Sequence, residues 1–235
     1  MIMGEVMFSA IILAGGSASR MNGINKQTAM LDGIPVVIRS ALSFQHSSLV
    51  SEIILAVPQG EEQRYRGLCR EYSISKLKAV TAGGATRFLS VKNALEQVSD
   101  DCGFIAIHDG ARPLITTTDI DRVMNDAMRY GGAIAAAPVT DTIKQCRSGI
   151  IEVTPDRNAL FAAQTPQAFR KELYISCMEK LGIRAESLTD DSALLELCGE
   201  PVRITPVTAC NMKITRPQDL AIAEAVLQSV TKKEG

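Results

Sequence analysis

The chain has 235 residues, of which 46% are apolar and 22% charged, enough to build a large core and too apolar for a disordered polymer. A formal charge of −1, 4% aromatic residues and the absence of Trp exclude a basic or base-stacking nucleic-acid surface. No segment reaches the roughly 20 consecutive apolar residues of a membrane span.

The opening stretch MIMGEVMFSAIILAGG has no basic start and is interrupted by Glu5, so it is not read as a signal peptide. Cys69, Cys102, Cys146, Cys177, Cys198 and Cys210 form no CxxC pair and no Cys/His cluster of metal-ligand spacing. Free, mostly buried thiols in a cytoplasmic protein are the expectation.

Phe8–Ala14 is a continuous apolar run of the kind buried on both faces of a parallel sheet, and it ends in Gly15 and Gly16. Pro35–Gln45 carries apolar residues at helical spacing, and Glu52–Val57 reads as a second buried strand. Helix Glu61–Tyr72, strand Lys78–Thr81, helix Arg87–Val98 and strand Gly103–His108 follow. A helix over Thr118–Tyr130 is expected, capped by one of Thr116, Thr117 and Thr118, with Asp119 and Asp121 in its first turn. Ala133–Val139 is the next strand.

Residues 140–158 break this rhythm. They are more polar, alternate in character and contain Ser148-Gly149, which predicts a projecting β-hairpin arm. Helices at Arg170–Leu181 and Asp190–Leu197, a strand at Val202–Pro206, a short strand at Met212–Thr215 and a helix from Pro217 to Val230 complete the chain, with Pro217 suited to a first helical turn. The repeated strand–helix–strand order predicts right-handed βαβ units, a mostly parallel sheet covered on both faces, and one domain spanning residues 1–235.

In such sheets ligands bind beyond the carboxyl ends of the strands. Four strand ends here carry unusual residues: Leu13 to Arg20, Gly83 to Arg87, His108 to Pro113, and Asn211 to Lys213. The first is rich in glycine and followed by Arg20 and Lys26, which lets backbone N–H groups approach phosphates while cations neutralise them. It is neither GxGxxG nor a Walker loop. Asp109, at the end of a buried strand, is suited to Mg²⁺, a sugar hydroxyl or a turn cap, with Asn211 as a second candidate oxygen ligand. His108 beside it reads as a packed strand-end histidine.

The pattern L-A-G-G-x-x-x-R-M with a nearby Lys26-Gln27 resembles the signature loop of nucleotidyltransferases that act on sugar phosphates. GGATR with Ser90, HDGARP, PVTDTIK, DRN with AAQTPQAF, TDDSALLE and NMKITRPQDL occur in the order found in the 2-C-methyl-D-erythritol 4-phosphate cytidylyltransferase family. The resemblance runs from about Ala10 to Leu227. It implies a Rossmann-like nucleotidyltransferase fold, CTP and Mg²⁺, transfer of CMP to a small polyol phosphate with release of pyrophosphate, a homodimer built around the arm, and a place in non-mevalonate isoprenoid precursor biosynthesis. Ribitol 5-phosphate cytidylyltransferases share many of these motifs, although PVTDTIK, DRN and TDDSA are closer to the methylerythritol enzymes. A nucleotide-binding homologue that has lost activity is the rival from another class.

The resemblance also implies roles. Ala14, Gly15, Gly16 and Ser17 cradle the nucleotide, and Arg20 and Lys26 stabilise charge on the triphosphate. Gly84, Ala85 and Ser90 hold cytosine and ribose, with Asp109 and Gly110 on the same nucleotide. Arg112 and Lys213 meet the acceptor phosphate, and Arg157 reaches the neighbouring subunit's acceptor phosphate from the base of the arm. Thr142, Thr165 and Thr189 match hydroxyl donors to the substrate. The family loop has a second glycine where Ala18 stands and a proline where Asn25 stands. Asn25 leaves the approach to Lys26 less rigid, which predicts a mobile segment from Ser17 to Asn25 in the absence of ligand.

Overall fold

A computed structural model of the chain describes residues 7–15, 25–207 and 210–231. The first strand, β1 (Phe8–Leu13), is buried along its whole length. A two-residue ladder, β2 (Met30–Leu31) with β3 (Ile34–Pro35), leads into α1 (Val36–Gln45). Then come β4 (Val50–Val57), α2 (Glu62–Glu71), β5 (Leu77–Ala82), α3 (Arg87–Leu95), β6 (Phe104–Asp109), α4 (Thr117–Tyr130) and β7 (Gly132–Pro138). The arm contains β8 (Gln145–Arg147) and β9 (Ile150–Val153). The chain ends with β10 (Phe161–Arg170), α5 (Lys171–Leu181), α6 (Ser192–Cys198), β11 (Arg203–Pro206) and α7 (Pro217–Thr231).

The main sheet has seven strands in the order β11-β7-β10-β6-β1-β4-β5. β1 lies between β4 and β6 and is parallel to both, with Ile11 opposite Ile54 and Ile107. Alternate side chains of β1 feed the two faces. Phe8, Ala10 and Ile12 pack with Val37, Phe44 and Tyr65 on one side. Ile11 and Leu13 pack with Val91, Tyr174 and Leu195 on the other. A strand buried on both sides needs apolar residues at every position, which accounts for the unbroken run in the sequence. A third, smaller cluster seats α7 through Ala223 and Leu220 against Leu31, Leu114 and Ile214.

Two features depart from the sequence-based expectation. Phe161–Arg170 is a ten-residue strand, antiparallel to both β6 and β7, where only a motif had been read. Gln164, Thr165, Pro166 and Gln167 interrupt its apolar pattern, and the register shifts between Ala163 and Gln167. Met212–Thr215 is not a strand. Met212 and Ile214 alternate inward as a strand would, but among the described residues the segment finds no sheet neighbour. Its main-chain anchor is Ile214 N–H donating to Ala111 O at 2.8 Å.

The end signals hold. Thr116 caps α4, its Oγ1 accepting from Asp119 N–H at 3.1 Å, and Gly131 closes that helix in the left-handed region at φ 85°. Ser148 and Gly149 both have positive φ, 50° and 80°, as a tight two-residue hairpin turn requires. Cys69, Cys102 and Cys177 are buried free thiols, while Cys146 and Cys210 are exposed. Among the described residues, no helix is long and apolar enough to cross a membrane.

Candidate active site

Right-handed crossovers bring the ends of β1, β4, β5 and β6 to one edge of the sheet. There Ala14 and Gly15 donate to Ala56 O at 2.7 and 3.1 Å, and Gly110 N–H donates to Leu13 O at 2.9 Å. The main chains of these exits are thereby tied together. Gly16, Ser17, Ala18 and Arg20 lie outside the described residues, as does the segment expected to be mobile apart from Asn25. Asn25 is locally well tied: its Oδ1 accepts from Gln27 N–H at 3.0 Å, an Asx turn that directs the chain into Lys26, which is half-buried. This side-chain bond supplies a restraint that the sequence reading assigned to the missing proline.

A cavity of about 510 Å³ opens between Leu13, Val57, Pro58, Gly83, Gly84 and Ser90. Thr86 caps α3 by accepting from Leu89 N–H at 3.2 Å. Ser90 Oγ donates to Thr86 O at 2.9 Å and accepts from Gly84 N–H at 3.0 Å, so it staples the glycine loop to the helix. A Cβ on Gly84 would stand 2.3 Å from Leu89 Cβ, which explains the glycine. Ala85 is exposed at the rim. Gln59, after β4, also lines this cavity, and the sequence reading missed it. The exit Pro58-Gln59-Gly60 from a parallel strand was the available signal. A larger groove of about 570 Å³ between α3 and α5 involves none of the strand-end motifs, so cavity size alone does not locate the chemistry.

Beside the cavity, three cations converge on Asp109. Lys213 Nζ lies 2.8 Å and Arg112 Nε 3.6 Å from Oδ2, and Arg87 Nε lies 3.8 Å from Oδ1. Burial would raise this carboxyl, but Lys213, then Arg87 and Arg112, outweigh it and hold Asp109 below the usual carboxylate range. Asp109 is therefore an anion at any working pH, with the two closer cations on Oδ2 and the more distant Arg87 on Oδ1. Arg87 is committed elsewhere, with Nη1 2.5 Å from Oδ2 of Asp191. Asp191 Oδ1 also accepts from Tyr174 OH at 2.8 Å. Pairing Arg87 with Asp191 leaves Arg112 and Lys213 facing a single carboxylate, a local positive excess in a chain of net charge −1.

Thr165 is bound into the strand ends around Asp109. It is 4% exposed, its Oγ1 accepts from Asp109 N–H at 2.9 Å and it lies 3.1 Å from His108 Nδ1. His108 Nε2 lies 3.3 Å from Arg112 O, which can only accept, so the network assigns the ring hydrogen to Nε2. Nδ1 then accepts a hydrogen bond from the Thr165 hydroxyl. His108 is fully buried, as expected for a packed residue. Asn211 Nδ2 donates to Gln164 Oε1 at 2.9 Å and to Thr165 O at 2.8 Å, while its buried Oδ1 has no hydrogen-bond partner among the described residues.

Thr142 and Arg157 are exposed on the arm, Arg157 Nη1 donating to Thr140 O at 2.8 Å, and Thr189 is exposed before α6. None of the described hydrogen bonds or ion pairs joins these three to Asp109, Arg112 or Lys213.

A glycine-walled cavity beside a cluster of excess positive charge, at the carboxyl edge of a βαβ sheet, is the arrangement of a nucleotidyltransferase. The family model described as IspD, 2-C-methyl-D-erythritol 4-phosphate cytidylyltransferase, matches residues 8–229. The chain belongs to that family. It is 40% identical to the 2-C-methyl-D-erythritol 4-phosphate cytidylyltransferase of Syntrophus aciditrophicus, covering 96% of this chain and 97% of the relative. It is also 40% identical to the enzyme of the same name from Geobacillus kaustophilus, over 94% of this chain and 97% of that one. The solved structure of 4-diphosphocytidyl-2C-methyl-D-erythritol synthase from Anaerococcus prevotii superposes with a TM-score of 0.84 at 27% identity, covering 94% of this chain and 96% of that one.

Proposed function

We propose that residues 1–235 act as one nucleotidyltransferase domain that transfers the cytidylyl group of CTP to 2-C-methyl-D-erythritol 4-phosphate in isoprenoid precursor biosynthesis. An oxygen of the acceptor phosphate forms a bond to the α-phosphorus of CTP. The bond from that phosphorus to the β-phosphate bridging oxygen breaks, and pyrophosphate leaves with the electron pair. The nucleophile is already anionic, so the demand is for alignment and charge stabilisation rather than for a base.

The observation that carries this reading is the convergence of Arg112 and Lys213 on Asp109 beside the glycine-walled cavity. In it, Gly84, Ala85 and Ser90 shape the pocket for cytosine and ribose, while Ala14, Gly15, Gly16 and Ser17 face the phosphates. Arg20 and Lys26 stabilise the triphosphate charge. Arg112 and Lys213 hold the acceptor phosphate, and the exposed Thr142, Arg157 and Thr189 complete a site from the arm side. One cation–anion contact at 4 Å is worth about 4 kcal/mol at an effective dielectric of 20, before desolvation.

Mg²⁺ fits this donor set. It binds through one or two carboxylates plus phosphate oxygens, and the ionised Asp109 would hold it together with the phosphates of CTP. When bound, it supplies neutralisation of the phosphates and of the leaving pyrophosphate.

The protein acts as a cytoplasmic homodimer joined through the arm. Ile150 and Ile151 are 73% and 58% exposed there. An isolated two-stranded hairpin is marginal in water, so a partner surface accounts for both its persistence and its apolar face.

The test is pyrophosphate release by purified protein with CTP, Mg²⁺ and each acceptor separately. Turnover with 2-C-methyl-D-erythritol 4-phosphate supports the reading. Turnover with ribitol 5-phosphate alone overturns the acceptor, and no turnover with either favours an inactive nucleotide-binding homologue.

A further inference from the structure

Asn211 lies in the irregular segment between β11 and α7 and is 2% exposed. Its main-chain oxygen accepts from Arg112 Nη1 at 2.8 Å. Its side chain donates to Gln164 Oε1 and Thr165 O in β10. Thr165 Oγ1 continues to His108 Nδ1, and His108 Nε2 returns to Arg112 O. The circuit Arg112–Asn211–Thr165–His108 is closed, and it joins three segments far apart in sequence: the end of β6, the middle of β10 and the segment that carries Lys213.

From this closed circuit we infer that Asn211 is a positioning residue for the acceptor phosphate. It sets where the Arg112 guanidinium and the Lys213 ammonium stand, without touching the ligand itself. The inference rests on the function proposed above.

The chemistry asks for a carboxamide. One short side chain must present two N–H donors to two oxygens that can only accept. Aspartate would set its own lone pairs against them, and an apolar side chain would leave the partly buried Gln164 Oε1 and the buried Thr165 O without this donor. Lys213 is two residues further on, so a shift of Asn211 moves two of the three cations that face Asp109, Arg112 and Lys213. Misplacement by about 1 Å at such a site costs on the order of 100-fold in rate. The nucleotide cavity is lined by none of the four residues of the circuit and meets it only through Arg87 and Asp109, so CTP binding should change less than acceptor binding.

The test is Asn211→Leu in the full-length protein, with steady-state kinetics in both substrates and CTP affinity by calorimetry. We expect a rise of about tenfold or more in the acceptor KM and a fall in kcat, with CTP affinity within about twofold of the parent. A parallel loss for both substrates means a merely structural role and overturns the inference, as does unchanged kinetics. Should Asn211→Leu not fold, Gln164→Met removes one of the two acceptors with little change of shape. An acceptor-selective KM rise of about threefold supports the inference, and no selective change overturns it. If the parent protein turns over neither acceptor, the proposed function fails by itself. The inference is then decided by inorganic phosphate, whose binding should weaken about tenfold in Asn211→Leu and, if it does not, the inference is overturned.

Discussion

Lys213 Nζ and Asp109 Oδ2 stand 2.8 Å apart, joining the segment before α7 to the end of β6. Asp109 is the shared counter-ion of three cations, and two of them, Arg112 and Lys213, have no other carboxylate among the described ion pairs. Asp109→Asn keeps the shape and removes the charge. Because Arg112 is largely buried and Lys213 is 40% exposed, the loss should fall near the lower end for broken buried pairs, about 3 kcal/mol in denaturant unfolding. Turnover should fall by about 100-fold or more. A stability change below about 0.5 kcal/mol would show that solvent, not Asp109, holds these cations.

Gly84 has no room for a side chain, since a Cβ would sit 2.3 Å from Leu89 Cβ and 2.9 Å from Leu89 C at the start of α3. Gly84→Ala should push that first turn and narrow the cavity, raising the CTP KM about tenfold and costing about 1–3 kcal/mol. Gly103→Ala is the control: a Cβ there meets nothing within 4 Å, and stability should stay within about 0.5 kcal/mol. Equal effects at the two sites would contradict the steric argument.

The exposed face of the arm gives a test of assembly. Ile150→Glu places a charge on a residue that is 73% exposed in the single chain, so it should leave the monomer fold intact. If the arm is the dimer contact, sedimentation velocity will show a shift to monomer and the acceptor KM will rise. Arg157→Ala should raise the acceptor KM much more than that of CTP. Mixed dimers of Arg157- and Lys213-defective chains should regain activity if each site draws on both subunits.

His108 couples stability to pH. Burial lowers its pKa from 6.5 to about 4, with Asp109 opposing and Arg112 reinforcing the shift. Below 6.5 the unfolded chain takes up a proton that the folded protein refuses until about 4. This group therefore removes stability as pH falls across that window and has no effect above it. Unfolding free energy should drop by about 2 kcal/mol between pH 7 and pH 5 from this source. His108→Asn should flatten that interval, and an unchanged slope would assign it to other groups.

Much of the site was legible along the chain. The glycine exits, Asp109, Arg112 and Lys213 stand at or beyond strand ends, and parallel strands put those ends on one edge. Gln59 escaped because Pro58-Gln59-Gly60 looks like an ordinary turn. The tie of Thr165 to Asp109 and His108 escaped because a threonine in sequence gives no sign of its hydrogen-bond partners.

By itself, the sequence determined the succession of strands and helices, their caps and the hairpin arm, since these follow from local periodicity, turn chemistry and the two-faced burial of runs such as Phe8–Ala14. Its motifs also determined the family. Only the tertiary structure decided that Phe161–Arg170 inserts antiparallel between β6 and β7, that Met212–Thr215 pairs with no strand among the described residues, and that Asn211 links Arg112 to Thr165. Those outcomes depend on which distant segment lies alongside, and hydrogen bonds between residues as far apart as Arg112 and Asn211 leave no periodic trace in the chain.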